Sequence, residues 1–242
     1  MSEILVTRHA GWAAITFNRP ERRNAIDFAF AEQFRDALRA LNADEAMRVI
    51  VLQGAGGAFC SGMDIKAFNA DPPPPWRAQF MPLWDEVHAL LMDSPKVLIG
   101  AVQGGAINGG AAVALACDVT VVGRGAFILV GEAQIGMSAP RNISWLVLKH
   151  GESVAMRLAL LADRVGADEL LRLGVATEVV DDAQVLERAA ALAERLGAFP
   201  AGGLQSAKLG IRRTAMRMAT PEWFRPAAEA TPGTAFVPRA VR

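Results

Sequence analysis

The stretch AVQGGAINGGAAVALACD, from Ala101 to Asp118, decides how the chain folds. It continues an apolar run that begins at Val97 and is typical of a buried strand. Two glycines at 104–105 break that run, and Gly109 and Gly110 open a second run of small apolar residues, which predicts a buried helix. Glycines allow sharp turns and a close approach of a ligand to the backbone. Because a helix start also leaves N–H groups unpaired and carries a partial positive charge, this turn suits an anion that forms during a reaction.

Size and charge narrow the class of protein. The chain has 242 residues, of which 52% are hydrophobic and 21% charged, so we expect a globular protein with a sizeable core. Lys plus Arg and Asp plus Glu number 25 each, which leaves no charge excess to attract nucleic acid or an anionic membrane. The sequence has no apolar run that approaches the ~20 residues of a membrane span and no signal-peptide pattern. We therefore expect a cytoplasmic protein without nucleic-acid or membrane partners.

Cysteine and histidine usage predicts no metal site. Cys60 and Cys117 belong to no CxxC pair, and no Cys/His cluster has the spacing of metal ligands. We expect both cysteines to be free buried thiols in a reducing compartment. His9, His88 and His150 belong to no recognisable catalytic motif, so each is predicted to be structural or exposed.

Strands and helices alternate along the first half of the chain. Two short strands, at 4–6 and 13–17, are predicted to form a hairpin. Asn24 is predicted to cap the amphipathic helix that follows. The continuous apolar run at 49–52 is suited to a parallel strand that is buried on both faces. A second amphipathic helix is predicted from Phe80 to Leu91.

The second half begins with two further strands and then becomes mostly helical. Strands are predicted at 119–122 and 127–130, and helical spacing occurs at 155–161, 167–173 and 183–196. Prolines interrupt the last stretch, at positions 221, 226, 232 and 238, so little long helix is expected there. This order predicts a parallel sheet with covering helices, followed by a helical region.

The glycine-rich stretch from Gln53 to Lys66 lies between a predicted strand and a predicted helical turn. Its glycines match neither GxGxxG nor the GxxxxGK[ST] phosphate loop. The sequence therefore lacks the fingerprint of a nucleotide-binding site.

Four segments, taken together, resemble the enoyl-CoA hydratase/isomerase (crotonase) family. They are FNRPERRNAID from Phe17, GAGGAFCSGMDIKAF from Gly54, PKVLIGAVQGGAINGGAAVALACD from Pro95, and RVGADELLRLGVATEVVDD from Arg164. One glycine loop would be weak evidence for this family, but four segments in the same order within residues 1–215 are a specific match. The resemblance implies an α/β fold with a crotonase-like β/α spiral core at 1–190 and a C-terminal helical trimerisation region at 191–242. It also implies acyl-CoA thioester substrates and a homotrimer or a dimer of trimers.

The resemblance assigns Met63 and Gly109 to the positions whose backbone N–H groups form an oxyanion hole. Removing a proton next to a thioester builds an enolate with negative charge on the carbonyl oxygen. Two fixed N–H donors stabilise that charge more than they stabilise the neutral ground state. An alternative for the Met63 side chain is a place in the wall of the acyl pocket.

A second group of residues matches positions near the coenzyme A arm of the substrate. Coenzyme A enters as part of that substrate, and no permanently bound cofactor is implied. Lys66 and one of Arg22 and Arg23 are candidates for contact with its phosphates, and solvated surface charge is the alternative interpretation. The matching residues are Asn24, Ala25, Asp64, Ile65 and Lys66.

The sequence departs from the family at the acid positions. Family hydratases use two glutamates; counted from Cys117-Asp118, the first falls on Ala112 and the second on Glu132. Water addition benefits from two positioned acid/base groups, and alanine can act as neither. Three further departures lie close by: Asn108 replaces the first glycine of the usual GGG, Gly131 replaces the usual proline, and Ile128-Leu129 replaces an aromatic–glycine pair.

Moving a double bond needs only one carboxylate, which takes a proton from C2 and returns it at C4 through the same enolate. We therefore expect Δ3–Δ2 enoyl-CoA isomerase-type chemistry with Glu132 as the proton shuttle. Apolar neighbours such as Ile128 and Ile135 are expected to raise its pKa. The alternatives are an enoyl-CoA hydratase of fatty-acid oxidation, another acyl-CoA lyase, hydrolase or decarboxylase, and a non-catalytic acyl-CoA-binding member.

Overall fold

The structure is a computed structural model, which describes residues 2–215. Within that range the strands are β1 (Ile4–Arg8), β2 (Trp12–Phe17), β3 (Val49–Gly54), β4 (Val97–Val102), β5 (Gly105–Ile107), β6 (Val119–Gly123), β7 (Phe127–Leu129), β8 (Arg164–Gly166) and β9 (Glu178–Val180). The α-helices are α1 (Phe28–Ala43), α2 (Ile65–Phe68), α3 (Arg77–Met92), α4 (Gly109–Ala116), α5 (Pro140–Leu161), α6 (Ala167–Arg172), α7 (Val185–Gly197) and α8 (Gly203–Ala215).

The strands form two sheets. The larger has the order β1-β2-β3-β4-β6-β9 and is parallel except for the β1–β2 hairpin. The smaller has the order β5-β7-β8, with β5 and β7 parallel and β8 antiparallel to β7. The predicted α/β class, hairpin and parallel sheet are confirmed.

The continuous apolar strands follow from burial on both faces of the large sheet. Along β3, Ile50 and Leu52 join the main core, whereas Val49 and Val51 pack in a second core on the opposite face. That second core is covered by α7, through Val185, Ala189, Leu192 and Ala193. Since a strand covered on both sides needs no polar face, the run at 49–52 has no alternation.

The stretch that decides the fold has the predicted strand, break and helix. β4 ends at Val102, the chain turns at Gly104, and α4 begins at Gly109. The short strand β5 lies between the break and the helix and was not predicted. It pairs with β7 and so carries the start of α4 away from the large sheet and next to the end of β7.

Two expectations differ from the structure. Asn24 does not cap α1; Asp27 does, because its side chain accepts the Phe30 N–H at 2.9 Å. The predicted helix at 155–161 is the end of α5, which begins at Pro140 and is interrupted at Gly151.

The predicted division between core and C-terminal region falls within α7, and it stays a prediction. The prolines from 221 to 238 lie outside the described residues.

Candidate active site

Three backbone segments lie side by side where β3 and β4 end. Cys60 pairs with Ala106 in β5, donating its N–H to the Gly105 carbonyl and accepting from Ile107. On the other side of β5, the Asn108 N–H donates to the Leu129 carbonyl at 2.8 Å. The turns that follow, at 62–63, 108–109 and 131–132, are therefore brought together although they are far apart in sequence.

The Gly62 turn touches the start of α4. Gly62 has φ +85, and a Cβ built on it would lie 2.8 Å from the Ile107 carbonyl oxygen and 3.6 Å from the Gly109 amide nitrogen. Only glycine fits such a position without a shift of the backbone. Within residues 2–215, no backbone carbonyl accepts the N–H of Met63 or of Gly109. The structure thus brings together the two turns that carry the predicted oxyanion-hole residues, and both amides are free of backbone partners.

Glu132 begins a short 3-10 turn, and two residues separate it from the end of β7. Its Oε1 accepts a hydrogen bond from Asn142 Nδ2 at 3.0 Å, whereas its Oε2 is shielded from solvent and has no partner among the described residues. Burial raises the pKa of Glu132 to about 7, against the opposing effect of hydrogen bonds from its own backbone amide and from Asn142. The predicted rise in pKa is confirmed, and a carboxyl group with a pKa near 7 can exchange a proton at neutral pH.

The position of the family's first glutamate offers no second acid. Ala112 lies within α4 and is 1% exposed. No charged side chain in the described part of the chain is among the causes that shift the pKa of Glu132. Glu132 therefore has no carboxyl partner among residues 2–215.

Two asparagines that sequence reasoning did not assign to the site connect these turns. Asn142, in the first turn of α5, is 2% exposed and donates to Glu132 Oε1 and to the Asn108 carbonyl at 3.2 Å. Asn108 Oδ1 accepts the Gly131 N–H at 2.8 Å. Asn108 had stood out only as a departure from the glycine pattern, and no sequence signal marked Asn142, because its partners lie 10 and 34 residues away.

The residues predicted near the coenzyme A arm divide into a buried group and an exposed group. The Asn24 side chain is fully buried and bonds to Arg19 N, Ala55 O and Ala58 O. Asp64 accepts the Ala67 N–H as the cap of α2 and also pairs with Arg19. Both side chains therefore hold the loop together, and contact with a ligand would fall to neighbouring backbone atoms.

The other three residues of that prediction are more accessible, or present backbone. Lys66 is exposed, Ile65 is partly buried, and Ala25 is buried with its carbonyl accepting from Arg19. An exposed ammonium group beside this loop is compatible with a phosphate partner. The role of all five residues stays a prediction.

The remaining candidates among the described residues are the two cysteines, His88 and possible metal ligands. Cys60 and Cys117 are free and buried, as predicted, and burial raises the pKa of each thiol to about 12. His88 is buried and accepts a hydrogen bond from Trp145 at 3.0 Å. Residues 2–215 contain no group of three His, Cys, Asp or Glu side chains placed to hold a metal ion. In the same range no helix has both the length and the apolar character to cross a membrane.

Comparison with known proteins adds sequence relatives. A family model described as enoyl-CoA hydratase/isomerase matches residues 7–226. A probable enoyl-CoA hydratase of Mycobacterium bovis is 34% identical over 204 residues, which is 81% of this chain and 72% of the relative. A 1,2-epoxyphenylacetyl-CoA isomerase of Escherichia coli is 32% identical over 215 residues, covering 87% of this chain and 82% of the relative.

Solved structures of proteins with the same kinds of name share the fold of this chain. An enoyl-CoA hydratase/isomerase from Xanthobacter autotrophicus matches with a TM-score of 0.85 at 31% identity, over 95% of this chain and 86% of that one. A monofunctional enoyl-CoA isomerase from M. smegmatis matches with a TM-score of 0.76 at 29% identity, over 94% of this chain and 100% of that one. The crotonase-like core implied by the sequence is therefore confirmed.

Proposed function

The chain belongs to the enoyl-CoA hydratase/isomerase family, and on that basis we propose that it shifts the double bond of a 3-enoyl-CoA thioester to the 2-position. One observation supports this reaction above the others. A shielded carboxyl group with a pKa of about 7, that of Glu132, stands beside the turn at the start of α4, while the position of the family's other glutamate is a buried alanine. One proton-transferring group is sufficient for isomerisation, whereas water addition benefits from two.

In the proposed reaction Glu132 Oε2 takes a proton from C2 of the substrate. The electron pair of the broken C2–H bond forms a double bond between C1 and C2, and the thioester oxygen becomes negative. The amides of Met63 and Gly109 donate to that oxygen, and loss of one such donor typically costs about 2.7–4 kcal/mol. The protonated Glu132 then delivers the same proton to C4, the double bond moves to C2–C3, and the thioester carbonyl is restored.

The electrostatics of the site suit a base that must also act as an acid. With a pKa near neutral pH, Glu132 is ionised in part before the reaction and gives up its proton readily after it. The start of α4 contributes a partial positive charge beside the oxyanion. Proton abstraction is thus assigned to the turn at Glu132, and charge stabilisation to the neighbouring turns at Met63 and Gly109.

The test is to incubate the protein separately with a 3-enoyl-CoA and with a 2-enoyl-CoA and to identify the products by chromatography and mass. We expect the 3-enoyl thioester to be converted to the 2-enoyl isomer and the 2-enoyl thioester to gain little water. Glu132→Gln should slow the conversion by at least about a hundredfold. The matched control is Glu3→Gln, because Glu3 is another carboxyl group whose pKa is raised to about 7 but which faces Asp27 and Arg19.

Each rival has its own outcome in that experiment. Rapid formation of a 3-hydroxyacyl-CoA would favour the hydratase, and release of free coenzyme A or carbon dioxide would favour a hydrolase, lyase or decarboxylase. Tight binding of every thioester with no turnover would favour a non-catalytic member. Any of these results without isomerisation overturns the proposal.

We also propose where coenzyme A binds, how the chain assembles and where the protein is located. The phosphates of coenzyme A are assigned to Lys66 with Arg22 or Arg23. The assembly is assigned as a homotrimer or a dimer of trimers, and the location as cytoplasmic. All three come from the family resemblance or from sequence composition, and the mass of the protein in solution checks the assembly.

A further inference from the structure

Two asparagine side chains join the turn that carries Glu132 to the turn that carries Gly109. Asn142 Nδ2 lies 3.0 Å from Glu132 Oε1 and 3.2 Å from the Asn108 carbonyl oxygen. A peptide carbonyl only accepts, so the amino group of Asn142, and not its oxygen, must face this pair of partners. Its two N–H bonds therefore hold the reacting carboxyl group and the residue before Gly109 at a fixed separation.

Asn108 makes the second connection. Its backbone N–H donates to Leu129, its Oδ1 accepts from Gly131, and its carbonyl accepts from Asn142 and from the Ala112 amide at 2.9 Å. Gly131 directly precedes Glu132, just as Asn108 directly precedes Gly109. Each functional residue is thus held through the residue before it.

The backbone of Asn108 is strained in a way that its side chain offsets. Its φ of +49 and ψ of −109 lie in a region that side-chain-bearing residues rarely adopt and glycine adopts without cost. Such strain persists only where the surrounding structure holds it in place. Here the bond from Gly131 to Asn108 Oδ1 is one that glycine at 108 could not make.

From these contacts we infer that Asn108 and Asn142 are positioning residues, and we call them the amide clamp. The clamp sets the distance and angle between the Glu132 carboxyl group and the amide of Gly109. It also divides the roles of the two carboxyl oxygens: Oε1 is held by Asn142, and Oε2 is left to exchange the proton. The inference rests on the proposed role of Glu132 as the base.

The clamp has a measurable electrostatic consequence. Burial raises the pKa of Glu132, hydrogen bonds from its own backbone amide and from Asn142 lower it, and no charged side chain of residues 2–215 is among the causes. A donated hydrogen bond favours the ionised carboxylate. Removal of the Asn142 amino group therefore raises the pKa of Glu132 further and leaves the Glu132 side chain free to rotate.

The test measures the titration of Glu132 without substrate. The infrared carboxyl band, taken as the difference between a protein and its Glu132→Gln counterpart, is followed with pH for the unmutated chain, Asn142→Ala and Asn142→Ser. We expect Asn142→Ala to raise the midpoint by about one to two pH units and Asn142→Ser, which retains one donor, to raise it less. The matched control is Asn42→Ala, which removes an asparagine that bonds to Leu90 and Ser94, and it should leave the midpoint unchanged.

Kinetics on the 3-enoyl thioester supply the second readout. Asn142→Ala is expected to lower kcat about tenfold or more with KM within about twofold, because the clamp orients the base rather than binding the substrate. Asn108→Gly should fold well, since glycine suits φ +49, and should also lower kcat.

The outcomes separate this inference from the proposed function. A midpoint that does not move in either Asn142 variant, or a kcat that does not fall in Asn108→Gly, overturns the clamp. If the unmutated chain fails to isomerise any 3-enoyl thioester, the proposed function fails, yet the infrared titration still decides whether Asn142 controls Glu132.

Discussion

A carboxyl group lies near each end of α4, and the pKa values of the two groups are shifted in opposite directions. At the C-terminal end, Asp118 lies 2.7 Å from Lys208 and 2.9 Å from Arg212, and it also accepts the Leu98 N–H. Burial raises its pKa, but the two cations and the hydrogen bonds outweigh burial, so the pKa lies below its ordinary value. At the N-terminal end, no cation of residues 2–215 lies among the groups that shift the pKa of Glu132, and burial raises that pKa to about 7.

The difference separates a structural ion-pair site from the proposed catalytic base. Lys208 and Arg212 both come from α8, so the charged cluster at Asp118 fastens that helix to the core. Lys149 adds to the same end by donating to the carbonyls of Leu115 and Cys117. A carboxylate that is fully paired is held in its ionised form and cannot readily accept a proton. The one held only by a neutral amide can.

Replacing the carboxyl group at each end of α4 by an amide should change the activity very differently at the two ends. We expect Glu132→Gln to lower kcat on a 3-enoyl-CoA about 10²- to 10⁴-fold, the usual contribution of a positioned acid/base group. The glutamine side chain in this variant would keep an oxygen for Asn142, so the geometry should be retained. Asp118→Asn, assayed per folded molecule, should keep kcat within a few-fold. Equal losses in the two variants would show that the comparison is wrong.

The same two substitutions should move stability in opposite directions. The native Glu132 holds its proton up to a pH of about 7, whereas an unfolded chain releases it near 4.5, so the native state loses stability as pH rises between these values. At pH 8 Glu132→Gln should therefore raise the free energy of unfolding by roughly 3 kcal/mol, and the gain should shrink towards pH 4.5. Asp118→Asn removes the carboxylate that pairs with buried Lys208 and part-buried Arg212, and it should lower the free energy of unfolding by about 3–5 kcal/mol. Denaturant titrations at pH 5 and pH 8 measure both effects, and changes of the same sign at pH 8 would contradict the contrast.

Much of the fold could be predicted because its signals are local. The apolar run at 49–52 and the strand–glycine–helix pattern from Ala101 to Asp118 each depend on neighbours in sequence. The short strand β5 could not be predicted, because three residues carry no periodicity and its existence depends on pairing with β7. The first half of α5 was not predicted: Ile143, Leu146 and Val147 have helical spacing, but Gly151 separates them from the helix predicted at 155–161.

The site was predictable only in part, for a related reason. The resemblance selected Glu132, Met63 and Gly109, and apolar surroundings correctly indicated a raised pKa for Glu132. Asn142 carries no motif, and its proposed role is visible only when α5 is folded against α4 and the turn at Glu132. A side chain whose function is to join two distant turns leaves no mark in either turn alone.

The smallest expected effect concerns the hydrogen bond between Asn108 and Gly131. Ion pairs hold the C-terminal end of α4, and this bond between neutral groups is proposed to hold its N-terminal end. Gly131→Pro removes the N–H that Asn108 Oδ1 accepts at 2.8 Å, because proline has no backbone donor. In the Asn108→Gly background there is no such oxygen to leave unpaired. We therefore expect Gly131→Pro to destabilise that background less than the unmutated chain, with a coupling on the order of 1 kcal/mol in the free energy of unfolding. Asn42→Ala combined with Asn108→Gly is the control pair and should be additive within about 0.5 kcal/mol. Additivity in the first pair would mean that Asn108 does not hold the Glu132 turn, and the parallel between the two ends of α4 would fail.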